Sequence, residues 1–215
     1  LTHSTHHTIG DIRLTMKETN LGSSYDLILK NVNRFVYLTP AEQETYISLL
    51  SKRTVKKKTF LLREGDTIAH EFFVTKGCLK VYTLNDKGVE HISMFAIEDW
   101  WTGDILSFIN QQPSKYFIEA LEDSEVIQIS KNNYDLLFEH IPKFERFYRV
   151  LYQRSLISYI QRTNQSIALS AEERYTNFTK KYPSLVNRVS QKNIAAYLGV
   201  TPEFLSVLRK KLNII

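Results

Sequence analysis

The 215-residue chain is 43% hydrophobic and 24% charged, a globular balance that excludes a disordered or fibrous protein and leaves room for two cores. No apolar run approaches the ~20 residues of a bilayer span and no signal-peptide apolar region opens the chain, so a cytoplasmic location is expected. Net charge is +5 and unevenly placed: residues 171 to 215 hold eight Lys and Arg against three Glu, while the first 170 residues sum to zero.

Residues 1–24, beginning "LTHSTHHTIGDIRLT", are polar and aperiodic and are expected to form a flexible leader, with Met16 a candidate start. His3, His6 and His7 there read as solvated rather than as metal ligands. From Tyr25 to Ser51 the pattern is helical. Thr39 is placed as an N-cap, Pro40 at the first helical position and Glu42 as the capping-box acid, and the helix is expected to end near the basic run Lys52 to Lys58.

From Val55 to Ser130 the apolar period changes to two. Strands are expected in "HEFFVTKGCLKVYTLNDKGVEHISMFAI", broken at Lys76-Gly77 and by the turn Asn85-Asp86-Lys87-Gly88. "KYFIEALEDSEVIQIS" supplies two more around Glu122-Asp123. Short strands at this spacing predict an antiparallel sandwich or roll. The only cysteine, Cys78, lies in this region; it excludes an internal disulfide or an intrachain four-cysteine iron–sulfur cluster and agrees with a reducing compartment.

A long helix is expected after Pro142, with an apolar seam of Phe147, Val150, Leu151, Ile157, Ile160 and Ile167. About 25 residues, or roughly 38 Å, is more than one small roll can cover. Pairing with a second copy through this helix is therefore preferred to packing on the roll alone. Ser170 caps the next helix, with acids in its first turn and lysines in its last, and Pro183 stops it. A domain boundary is placed near Leu169.

The stretch "SQKNIAAYLGVTPEFLSVLRKKL", Ser190 to Leu212, reads as two short helices hinged at Gly199, where positive φ would strain any side chain. Ile194 and Leu198 face inward from the first helix, and Ala195 permits close approach. Thr201 caps the second helix and Pro202 begins it. With Leu205, Leu208 and Leu212 inward, a helical wheel puts Glu203, Val207 and Lys210 on the far face, flanked by Ser206 and Lys211, and Arg209 near the buried edge. A polar and basic face at the start of a second helix is what a major-groove reader presents, and the charge concentrated here supports a polyanionic partner. The plain alternative is a helical packing unit with a solvated basic surface.

From about Tyr25 to Leu212 the chain resembles the Crp/Fnr family of bacterial transcription regulators. The likeness rests on "FLLREGD", "VTKGCLKVYTLNDKGVEHI", "WTGDILSF", "SEVIQIS" and the C-terminal stretch, all in the family's order. The form "RVSQKNIAAYLGVTPE" is similar to a subgroup common in Bacteroidetes. The resemblance implies an α+β protein: an effector domain over 25–141 with a cyclic-nucleotide-binding-like β-roll (jelly roll), a dimerisation helix over 142–169 and a helix-turn-helix domain over 170–215. It implies double-stranded DNA, a second copy of the chain and RNA polymerase as partners, with no membrane. DNA-facing candidates are Gln191, Thr201, Pro202, Glu203, Ser206, Val207, Arg209, Lys210 and Lys211. Pro202, Glu203 and Val207 match the family's base-reading positions, and Glu203 suits cytosine N4 while Val207 suits a thymine methyl.

The resemblance also places an effector pocket at Gly103, Asp104, Ser114, Lys115 and Tyr159. The family's Gly-Glu pair falls on Gly103-Asp104, and its Arg-Ser pair on Ser114-Lys115. The phosphate-binding arginine is missing and Lys115 offers a point charge without the planar fork. Adenine-contacting hydroxyls fall on Tyr159-Ile160. No cofactor is expected, and cAMP is not the expected effector. Of the wing hairpin that usually follows the second helix in the family, at most a stub is expected before Ile215. An enzyme on a cupin-like roll would need clustered histidines, whereas His70, His91 and His140 are isolated, and no nucleophile–base pair is evident. The remaining alternative is a ligand-sensing module acting on a protein partner without specific DNA binding.

Overall fold

A computed structural model describes residues 25–212; the leader and its histidines lie outside the described residues. Helices α1 (Asp26–Asn33) and α2 (Pro40–Ser48) lead into eight strands: β1 (Leu50–Val55), β2 (Phe60–Leu62), β3 (His70–Lys76), β4 (Leu79–Leu84), β5 (Glu90–Ala96), β6 (Trp101–Thr102), β7 (Phe117–Ala120) and β8 (Ser124–Ser130). A short helix α3 (Ile105–Asn110) interrupts them between β6 and β7. The strands form two antiparallel sheets, ordered β1-β8-β3-β6 and β2-β7-β4-β5, which close the expected roll.

Capping works as expected at α2: Thr39 accepts from the Glu42 amide while the Glu42 carboxylate accepts from Thr39 N at 2.7 Å. The turn after β4 is held by the Asn85 side-chain oxygen, which accepts from the Lys87 and Val89 amides. At Gly77 (φ +96°) a Cβ would sit 2.2 Å from Ser124 Oγ, so the β3–β4 break demands glycine twice over. β3 buries Glu71 to Val74 in succession because one face looks into the roll and the other lies under the helices.

One expected boundary moves. The helical pattern assigned up to Ser51 stops at Ser48, and β1 occupies Leu50–Val55. β1 is an edge strand whose four middle residues are exposed, so no alternation betrays it. Helices α4 (Lys131–His140) and α7 (Leu185–Arg188) were also not anticipated; α4 buries only Tyr134 and Leu137 and α7 only Leu185, too few for a period.

The long helix α5 runs Lys143–Ala168, about 39 Å at 1.5 Å per residue. Its apolar seam divides. Phe147 is buried against the roll, with Phe144 and Tyr148, and Val150 and Leu151 are half-buried. Ile157, Ile160 and Ile167 are exposed, as is Leu156, and Ile167 is 80% exposed.

Beyond α5 come α6 (Ala171–Lys181), α7, α8 (Gln191–Leu198) and α9 (Pro202–Lys211). Ser170 and Glu173 form the capping box of α6, and the helix ends before Pro183. These helices share a core with the second sheet: Phe95 of β5 meets the rings of Phe178, Tyr182 and Tyr197 at centroid distances of 6.1, 6.1 and 5.4 Å. Arg188 adds an ionic tie, donating to Glu98 at 2.9 and 3.0 Å and to Glu122. Burial alone would raise the Glu98 carboxyl, but the Arg188 guanidinium and the Gly77 amide hold it below its usual range.

Candidate nucleic-acid interface

The helix pair forms as the residues dictate. The Ser190 hydroxyl caps α8, Gly199 ends it at φ +69°, and the Val200 amide returns to the Ala195 carbonyl at 3.1 Å. Thr201 then accepts from the Phe204 amide at 3.2 Å and Pro202 opens α9. Ile194, Ala195 and Leu198 bury one side of α8, and Leu205 and Leu208 bury one side of α9, with Leu212 half-buried beyond them.

Pro202, Glu203, Ser206, Val207 and Lys210 are exposed on α9, Arg209 is half-buried at the edge, and Val207 is 68% exposed. Glu203, Ser206 and Lys210 have no hydrogen-bond or ion-pair partner among the described residues. Two candidates are partly committed elsewhere: the Thr201 hydroxyl is the cap, and the Lys211 ammonium pairs with Glu172 of α6 at 2.7 Å. Gln191 is half-buried in the first turn of α8, and its Oε1 lacks a protein partner. Phe204, not singled out from the sequence, is 50% exposed beside Glu203; its wheel position, about 70° from the buried direction, was the available signal.

The cradle in the roll is organised differently. Asp104 is buried and caps α3 through Oδ1, accepting from Leu106 and Ser107 amides at 3.1 and 3.4 Å. Its Oδ2 accepts from the buried Ser114 hydroxyl at 2.7 Å. The same hydroxyl accepts from Tyr116 N, and the Ser114 backbone exchanges bonds with Gly65 and Asp66. Ser107 donates to the Gln112 carbonyl at 2.5 Å and accepts from Ile68 N. Ser114, where the resemblance would put the family's arginine, thus donates to the neighbouring carboxylate. Lys115 is exposed, and Tyr159 is 66% exposed on α5. Gly103 is half-buried, its missing Cβ facing the Glu71 side chain at 3.5 Å.

Glu71 itself is buried and accepts from the Tyr152 hydroxyl of α5 at 3.0 Å, while its second oxygen has no partner. Burial pushes its carboxyl up to about 7, against the lowering effect of the tyrosine bond. Among the described residues no group of three or more His, Cys, Asp or Glu gathers as a metal site. Cys78 is buried and its thiol is pushed up to about 12 by burial, then by Glu122.

The sequence profile of the cyclic nucleotide-binding domain matches residues 52–140, the roll and α4. Electron transport regulator A of Shewanella oneidensis is 28% identical over 173 residues, covering 73% of this chain and 66% of that protein. The transcriptional activator Anr of Pseudomonas aeruginosa is 29% identical over 167 residues, covering 72% and 67%. A Crp/Fnr regulator from Eubacterium rectale superposes with a TM-score of 0.64 at 19% identity, over 82% of this chain and 84% of its own. The chain carries a cyclic nucleotide-binding domain and is similar, in sequence and in fold, to transcription regulators of the Crp/Fnr type. It spans about two thirds of the length of these curated relatives. Like those regulators it has a roll, a long helix and a C-terminal helix pair. Where a phosphate would need an arginine, Ser114 and Asp104 satisfy each other. No helix among the described residues is long and apolar enough to cross a membrane.

Proposed function

We propose that this chain is a Crp/Fnr-type regulator that binds double-stranded DNA as a homodimer through α5, reads a near-palindromic site with α9, and responds to an effector other than cAMP or to none. We further propose that it works in the cytoplasm with RNA polymerase, with domains at 25–141, 142–169 and 170–215. The observation that carries the DNA reading is the exposed first half of α9. Glu203, Ser206, Val207 and Lys210 stand clear of the fold while Leu205 and Leu208 anchor the helix. Glu203 would accept from cytosine N4, Val207 would meet a thymine methyl, and Arg209 and Lys210 would engage phosphate. Pro202 and Ser206 would lie alongside them, with Gln191 and Thr201 bordering the backbone and Lys211 reaching it on release from Glu172.

The dimer reading rests on Leu156, Ile157, Ile160 and Ile167, which leave an apolar stripe on the distal half of α5 that no other described residue covers. Pairing through that stripe would present two α9 helices about one DNA turn apart, ~34 Å. Selection of binding sites from a random duplex library, followed by light scattering of protein and complex, tests both halves. The expected result is a symmetric site bound two chains per duplex. A chain that stays monomeric at micromolar concentration, with and without DNA, refutes the dimer; enrichment of no sequence leaves the protein-partner alternative in place of the DNA reading.

A further inference from the structure

Helix α9 carries its positive charge at one end. Arg209, Lys210 and Lys211 fill its last turn, whereas the stretch from Pro202 to Leu208 contains Glu203 and no Lys or Arg. A helix in the major groove reads bases with its first turns, and the fork that recognises guanine O6 and N7 belongs to Arg or Lys. The start of α9 therefore has no group suited to guanine. What it exposes around Glu203 and Ser206 is apolar: Phe204 is 50% and Val207 68% exposed.

At 100° per residue, Phe204, Val207 and Lys211 follow one edge of the exposed face, Pro202, Ser206 and Arg209 follow the other, and Glu203 and Lys210 run between them. Phe204 takes no part in holding α9 to the fold. Leu205 and Leu208 enter the C-terminal core, while Phe204 belongs to neither core and stacks on no ring among the described residues. Lone exposed apolar side chains are ordinary on any protein surface. Here two of them stand one turn apart, on the edge that leads to Lys211 and next to Lys210, so the apolar spot is rimmed by cations. That combination suits a groove walled by phosphates whose floor offers one apolar group, the thymine C5-methyl.

We propose that Phe204 is a specificity residue that packs on a second thymine C5-methyl beside the one Val207 meets, so that each half-site presents two neighbouring thymines to α9. The inference rests on the DNA reading and names what that reading selects. Residues three apart on a helix have Cβ atoms about 5–6 Å apart, and base pairs rise ~3.4 Å per step. The two thymines are therefore adjacent or separated by one base pair. Burying one methyl is worth about fourfold in affinity, hence about fifteenfold when both half-sites carry it. Base selection by α9 thus runs through methyl groups and the Glu203 carboxylate, and its cations are left to phosphate.

Fluorescence anisotropy of the full chain tests this on the selected duplex and on copies in which one thymine position at a time, in both half-sites, becomes deoxyuridine. That exchange deletes the methyl and keeps every hydrogen-bonding group of the base. The expected result is two sensitive positions per half-site, at most two steps apart, each weakening binding about fifteenfold when changed in both halves. In Phe204→Ala one of the two positions is expected to lose its sensitivity and the other to keep it, with the reverse in Val207→Ala. Phe204→Leu keeps an apolar side chain on a good helix former and is expected to keep both. Selective binding that no deoxyuridine weakens, or the same two sensitive positions in Phe204→Ala, overturns the role of Phe204 and leaves the DNA reading standing. Binding of no duplex in preference to another overturns both.

Discussion

The cradle around Asp104 and the helix Pro202–Lys211 each begin with a side-chain cap and each occupy positions that the family turns toward a partner. They dispose of their polar groups in opposite ways. In the cradle, Asp104, Ser107 and Ser114 bind one another and the nearby main chain, out of water. On α9, Glu203, Ser206 and Lys210 are left to solvent. A buried polar group already satisfied within the fold yields to a ligand only if an internal bond breaks. An exposed one gives up water at small cost. The contrast supports the proposal that α9 meets a partner and that the cradle serves the fold.

The largest expected effect is the loss of cAMP. A bound cAMP phosphate needs charge-assisted hydrogen bonds worth about 1.5–3 kcal/mol each, and the arginine fork that gives them is replaced here by Ser114, already committed to Asp104. Two or three such losses weaken binding by a factor on the order of 10²–10⁶. Calorimetry with cAMP and cGMP is expected to show no binding at micromolar ligand. A micromolar or tighter dissociation constant would break the comparison, because the cradle would then open after all.

The two regions also differ in how far they could be read from residues alone. Gly199, Thr201 and the leucines of α9 specify the helix pair through local rules, and each falls where capping and periodicity put it. The cradle's closure was not legible. It depends on Ser114 Oγ meeting Asp104 Oδ2 across ten residues, a contact that no spacing announces. Likewise the seam of α5 read as one stripe, although its first half belongs to the roll and only the distal half is exposed; apolar period marks what avoids water, not which neighbour covers it. β1 was hidden because an edge strand with four exposed residues has no alternation, and a cationic cleft beside β5 because its Arg and Lys side chains come from α5 and α6, which only the folded chain brings together.

The next effect lies beneath the cradle. The folded chain holds a proton on Glu71 up to about pH 7, whereas the unfolded carboxyl releases it near 4.5. Between those values the folded state binds more protons, so stability is full below about 4.5 and falls as pH rises through 7. The span corresponds to roughly 3 kcal/mol as an upper figure. Glu71→Gln keeps an acceptor for Tyr152 and removes the charge, so urea melts are expected to lose the pH dependence in this window and gain stability at pH 8. An unchanged slope would mean that water reaches Glu71. Ser114→Ala follows, at about 1.5–3 kcal/mol lost at neutral pH, because buried Asp104 is left short of a donor. If that melt does not move, the cradle is not the closed network described.

The smallest stability effects, and the sharpest test of the comparison, belong to α9. Glu203 and Lys210 are exposed and have no hydrogen-bond or ion-pair partner among the described residues, so Glu203→Ala and Lys210→Ala are expected to change folding stability by no more than about 0.5 kcal/mol. On DNA they should part. A carboxylate reading cytosine N4 discriminates among bases, so Glu203→Ala should lose about 1–3 kcal/mol of preference at one base pair of each half-site. An ammonium on phosphate is blind to sequence, so Lys210→Ala should weaken all duplexes alike and flatten the plot of log affinity against log salt by about one unit per half-site. Fluorescence anisotropy across a salt series, on the selected site and on single-base variants, separates the two. If Glu203→Ala weakens every duplex equally, the residue neighbours the backbone instead, and base reading passes to Val207 and the half-exposed Phe204 beside it.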